Sequence, residues 1–135
     1  MKLSEFLIKN PVNNITEEVY ISNRFVGEDG QKLPFKIKAM SGEAYASYRK
    51  EALRVTAKGV DFDTKRFNEL VVINHTIDPN FRDAEAVKAA GCVTPEQYLY
   101  RSLLAGEIDA LAAKISELSG FNTTIEEAKE TVKNS

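Results

Sequence analysis

Tryptophan is absent from this chain, cysteine and histidine occur once each, and methionine occurs twice. The lone Cys92 has no partner for an internal disulfide, which agrees with a reducing compartment. A Cys/His catalytic pair would have to bring Cys92 and His75 together, and neither carries a flanking signature for that chemistry. Taken singly, Cys92 reads as a small buried hydrophobe and His75 as a partly buried, hydrogen-bonded imidazole. Long apolar runs are also missing. The longest, Leu70 to Ile73 and Ala110 to Ala113, have four residues each, against about 20 for a membrane span. Phe6-Leu7-Ile8 is too short for the core of a signal peptide, so the expected location is the cytoplasm. Charge of one sign is lacking as well: 18 Lys and Arg oppose 20 Asp and Glu, the net charge is −2, and no basic run occurs. Nucleic acid is thereby disfavoured as a main partner, since gripping its backbone takes a concentrated cationic face.

Motifs for cofactors and metals are equally scarce. There is no GxGxxG and no GxxxxGK[ST]. Asp61 and Asp63 form one acidic pair and Glu28 and Asp29 another, yet neither has the further ligands or the closing Glu of a calcium loop. Helix capping accounts for Asp63 and turn formation for Asp29. The sequence therefore nominates no catalytic, cofactor-binding or metal-binding residue, and the expected class is non-enzymatic.

What the chain does have is 135 residues, 43% of them hydrophobic, enough for one domain with a core of its own. The expected class is α+β: an N-terminal antiparallel β-hairpin over residues 17–39, about five helices over 41–121, and a frayed tail over 122–135. A short amphipathic start, Leu3 to Lys9, is stopped by Asn10-Pro11. The first strand runs from Glu17 to Val26 with Val19, Ile21 and Phe25 on one face, Gly27 to Gly30 supplies the turn, and Phe35, Ile37 and Ala39 alternate on the return. Pro34 cannot donate to a ladder, which predicts an edge there. Two strands alone are marginal, so the hairpin has to lie on helices or find another strand.

From Ser41, a candidate N-cap, the period becomes helical through Tyr45, Tyr48, Ala52 and Val55, fading near Lys58-Gly59. Asp63 caps a second helix with Phe67, Leu70, Val71 and Ile77 on one side. Val72 and Ile73 make it apolar on other sides too, as expected of a central helix ended by Asp78-Pro79. Asn74 falls in the middle of its stripe and needs hydrogen-bond partners. Asp83 to Ala90 gives a short helix closed by Gly91, and Thr94-Pro95-Glu96-Gln97 opens the next with an N-cap, a proline at N1 and Gln at N3. Ile108, Leu111, Ala112, Ile115 and Leu118 then share a face, with Glu107 off it and Gly120 closing the helix. The pair of helices around Gly91 has the outline of a helix-turn-helix, but Glu96, Gln97, Tyr98 and Arg101 are a poor set for DNA, and packing explains it. On the helix after Pro95, the stripe of Leu99, Tyr100, Leu103 and Leu104 leaves Tyr98 and Arg101 outside it as candidates for a partner surface.

The order of these features resembles a known family. Phe6 to Val19 (FLIKNPVNNITEEV), Pro34 to Met40 (PFKIKAM), Val60 to Asp63, Phe67 to Val72, Asn74-His75-Thr76, Pro79 to Glu85, Gly91 to Leu99, Leu103 to Ile108 and Leu118 to Phe121 are similar to the XkdN-like phage tail assembly chaperones. The likeness covers all but about the last dozen residues. It implies a protein of a tailed phage or prophage, made in the host cytoplasm, that binds the tape measure protein during tail assembly and is absent from the mature virion. The tail tube protein is a second implied partner. No catalytic residues come with the family. A binder of helical clients should offer an apolar groove, expected here between the helices of residues 95–119, with Tyr98, Arg101, Leu104, Ile108 and Leu111 as candidate contacts. With only two methionines, a Met-rich adaptable surface is not the means. The hairpin edge near Pro34 is the rival docking site, for self-association or for strand addition by a partner. The alternative role is a structural connector or capping subunit of the tail.

Overall fold

Side-chain oxygens placed one residue ahead of apolar-periodic segments set where most helices begin, and the fold follows from those starts. The computed structural model describes residues 1–121. The expected tail, with Ile125, Ala128 and Val132, lies outside the described residues. In chain order come α1 (Leu3–Lys9), β1 (Thr16–Val19), β2 (Phe35–Lys38), α2 (Gly42–Ala52), β3 (Leu53–Thr56), β4 (Gly59–Phe62), α3 (Thr64–His75), β5 (Thr76–Asp78), α4 (Ala84–Ala89), α5 (Pro95–Ser102) and α6 (Ala105–Ser116). A 3-10 turn at Val12–Asn14 follows α1, and a wider turn at Glu117–Phe121 follows α6. The class is α+β, a strand pair followed by helices, as expected.

Ser41, Asp63 and Thr94 accept from the backbone N–H groups of Ala44, Arg66 and Gln97, each at 3.1 Å, and Asp83 accepts from Glu85. These bonds satisfy donors that the first helical turn leaves free. Gln97 Oε1 reaches back to Val93 N at 2.8 Å, so the N3 residue braces the entry to α5.

β1 and β2 are antiparallel, with Thr16 opposite Lys38 and Val19 opposite Phe35. The first strand is shorter than expected. It stops at Val19, and residues 20–34 leave the sheet as an arm with its own small turn, where Val26 bridges Lys32 and Gly30 sits at φ +82°. Ile21 and Phe25 still pack on the core from this arm. The expected edge at Pro34 is corrected: β2 is the central strand, because β5 pairs with its other side in the order β1-β2-β5. Pro34 lies just ahead of the ladder, where its missing N–H costs nothing.

Two further corrections concern helix ends. The helix through Tyr45 and Tyr48 ends at Ala52, and Val55 lies in the hairpin β3–β4, turned at Gly59 with φ +126°. Val55 fits a 3.6 period and a strand equally, and the β-branched run Val55-Thr56 before a glycine turn decides for the strand. Similarly α3 ends at His75, and Ile77 is in β5. α3 is nevertheless the central helix expected. Leu70, Val71, Val72 and Ile73 are all buried, packed on α2, α6 and the sheet. Asn74 has its partners: Nδ2 donates to Leu70 O at 2.8 Å and Oδ1 accepts from Arg82 Nε at 2.9 Å. The core runs from Phe35 and Ile37 through α3 to Leu99, Leu111 and Ile115.

Candidate functional site

Between the arm of residues 20–34, the three-stranded sheet and the α5 end lies a cleft of about 420 Å³. That volume lies within the usual range of ligand pockets, about 300–1,000 Å³. Its walls are Phe25 and Leu33 from the arm, Phe35 from β2, Phe81 from the segment after β5, and Tyr98 and Leu103 from the α5 end. Phe81 is fully buried and meets Tyr98 edge-to-face at 5.4 Å between ring centres, while Phe25 meets Phe35 edge-to-face at 4.9 Å. Edge-to-face pairs of this kind fix ring orientation, so the cleft is held open by packed aromatics. Glu18, Lys36 and Asp78 form its charged rim, neighbours across the three strands.

One ion pair holds the arm in place. Arg24 Nη2 donates to Glu107 Oε1 at 2.7 Å and to Ser102 O at 2.7 Å, and Arg24 Nε donates to Glu107 Oε2 at 2.9 Å. Its guanidinium also lies over the Phe25 ring at 4.5 Å. Glu107 was expected on the polar side of its helix; instead it is buried, because its charge is matched by Arg24 and its Oε1 also accepts from Leu104 N at 2.8 Å. The hydrogen bond from Arg24 holds the Glu107 carboxyl below its ordinary range.

The residues nominated from sequence are not brought to one surface. Tyr98 lines the cleft, half-buried where exposure was expected. Arg101 is exposed, and its Nη1 donates to Ala90 O and Gly91 O at 3.0 Å each, closing the end of α4. Leu104 is 62% exposed, whereas Ile108 and Leu111 are inside the core at 7% and 0%. Of the stripe on α5, Leu99 and Leu103 are buried and Tyr100 is exposed. Pro34, named for the rival docking site, also lines the cleft, whereas Phe25, Leu33, Phe35, Phe81 and Leu103 were not nominated as contacts. Phe81, set between Pro79-Asn80 and the cap Asp83, was the signal available, an aromatic in a short polar connection.

Other polar groups belong to the scaffold. The Tyr48 hydroxyl and His75 Nε2 are 2.8 Å apart, and burial, with Lys38 adding to it, holds the imidazole below its ordinary value. Arg66 joins Glu51, Glu69 and Glu96, and the Tyr100 hydroxyl donates to Glu69 at 2.7 Å, tying α2, α3 and α5 together. Burial and Glu69 push the Tyr100 phenol up. Cys92 is buried. Among the described residues no cluster of His, Cys, Asp and Glu has the makings of a metal site, and no helix is long and apolar enough to cross a membrane.

A family model described as phage XkdN-like tail assembly chaperone protein matches residues 3–133. The chain belongs to this family. Two relatives from Bacillus subtilis (strain 168), the protein YqbN and the phage-like element PBSX protein XkdN, are each 31% identical over 140 residues, spanning 98% of this chain and 93% of theirs. The crystal structure of YqbN superposes with a TM-score of 0.70 at 27% identity, covering 89% of this chain and 97% of that one. The residues quoted for the resemblance thus identify the family correctly. Within a tail assembly chaperone, an aromatic cleft with a charged rim is a place where an apolar segment of another protein can be held.

Proposed function

We propose that this tail assembly chaperone acts in the host cytoplasm, seating an apolar, helix-forming segment of the tape measure protein in the cleft and keeping it soluble until the tail tube is built. The observation that carries the reading is the cleft itself. It has an aromatic floor at Phe81 and walls from the arm and α5, and its volume suits one or two large apolar side chains. A helical client would insert anchors spaced i, i+3 or i+4. The charged row Glu18, Lys36 and Asp78 would meet polar residues flanking them. On this reading the client sits between the arm and α5, and Tyr98, which lines the cleft, is the one sequence candidate that would touch it.

The test is co-expression with the tape measure protein. Native chain is expected to keep it soluble and co-purify with it, and Leu33→Glu, at a half-exposed position on the cleft wall, is expected to lose it while melting normally. A Leu33→Glu chain that retains the client moves the seat elsewhere, and native chain that fails to retain it rejects this client. Mass spectrometry of purified virions should not find the protein; its presence there would favour a connector or capping subunit.

A further inference from the structure

The helix α1 is apolar along one side and, among the described residues, takes no part in the core. Leu3, Phe6 and Leu7 share a face at helical spacing, they are 73%, 49% and 62% exposed, and no residue of α1 is buried. A seven-residue helix has little stability of its own in water, where even good formers need roughly 12–15 residues. Its apolar side calls for a surface to lie on. In the chain by itself that surface is not the cleft, since no residue of α1 contributes to the cleft walls. Among the described residues, both halves of a contact are thus left open in one molecule.

We infer that α1 of a second copy of this chain occupies the cleft, in a reciprocal dimer in which each copy lends its helix to the other. Charge supports the match. The cleft rim carries two carboxylates, Glu18 and Asp78, and one ammonium, Lys36. The polar side of α1 and the residue just ahead of it carry the opposite set, with Lys2 and Lys9 flanking Glu5. Leu3, Phe6 and Leu7 have the type and spacing of anchors that an aromatic-walled cleft takes, and two of them suffice to fill it. The chain between is suited to the exchange. Asn10-Pro11 ends α1, and the sheet takes hold only at Ile15, whose carbonyl accepts from Ala39 N at 2.9 Å. Exchange of one element between identical copies closes as a two-fold dimer without leaving a sticky surface. The helix then stands in for the client, and a client anchor has to displace it.

Sedimentation of the purified chain without client tests the dimer independently of the tape measure reading. Native chain is expected to shift from monomer to dimer with concentration. Leu7→Glu, which spoils the helix, and Leu33→Glu, which spoils the cleft, are each expected to weaken dimerisation by at least tenfold in Kd while keeping the native circular dichroism spectrum. Mixed together, they retain one intact helix and one intact cleft, so a heterodimer weaker than the native dimer is expected. A native chain that stays monomeric at all concentrations overturns the inference, as does a dimer that survives both substitutions or a mixture that forms no heterodimer.

Discussion

Arg24 and Glu107 are 83 positions apart in the chain, and their side chains meet through paired hydrogen bonds of 2.7 and 2.9 Å. That contact decides where the arm of residues 20–34 lies and so fixes one wall of the cleft. Its strength depends on pH in a defined direction. Glu107 keeps its charge in the folded chain at pH values where an unfolded glutamate, with a pKa of about 4.3, has taken up a proton. The unfolded form then binds more protons, and stability falls as pH drops below that value. Thermal melts from pH 7 to pH 3 should show a steeper decline for the native chain than for Glu107→Gln, which is expected to melt lower at pH 7.

His75 adds a second pH dependence at higher pH. Its imidazole is buried against Tyr48 and held below the ordinary histidine value, so the unfolded chain takes up a proton first as the solution is acidified. Stability contributed by neutral His75 is complete above about pH 6.5 and is lost on going down through the folded value. His75→Phe should flatten the melting temperature profile between pH 7 and pH 5. An unchanged profile would place the titration elsewhere.

Leu111 and Leu104 were nominated together from sequence, and truncation should separate them. Leu111 is fully buried, and Leu111→Ala is expected to cost about 2–5 kcal/mol in urea unfolding. Leu104 is mostly exposed, and Leu104→Ala should stay within about 0.5 kcal/mol.

Gly91 has φ +74°, and a Cβ there would stand 3.2 Å from Arg101 Nη1. Gly91→Ala is expected to destabilise by about 1–2 kcal/mol, the usual cost of a left-handed backbone for a residue with a side chain. Arg101→Ala should lower stability less, with hydrogen exchange at the end of α4 speeding up.

What sequence revealed and what it hid divide along the range of the interactions. Ser41, Asp63 and Thr94 were readable as caps because each acts on a backbone N–H three positions away. The hairpin β3–β4 was not: Leu53-Arg54-Val55-Thr56 and Val60-Asp61-Phe62 do alternate, but Val55 also continues the helical stripe of Tyr45, Tyr48 and Ala52, and the helix reading took it. Three-residue β5 carries almost no local signal, and its place is set by Ile37 and Lys36 far upstream. The cleft draws Phe25, Phe35, Phe81 and Tyr98 from four separate stretches, and nothing local announces that they meet. The family was legible because it rests on the order of many short stretches along the chain.

The central position of β2 has a consequence for how the protein is made. β1 and β2 leave the ribosome together, but the strand that flanks β2 on its other side follows roughly 40 residues later, which at about 5–20 residues per second is about 2–8 s of synthesis. For that interval Phe35 and Ile37, buried in the finished fold, have neither α3 nor β5 to cover them. The nascent chain is itself a short-lived apolar client, and it is sheltered when the chain continuing from α3 comes back along β2.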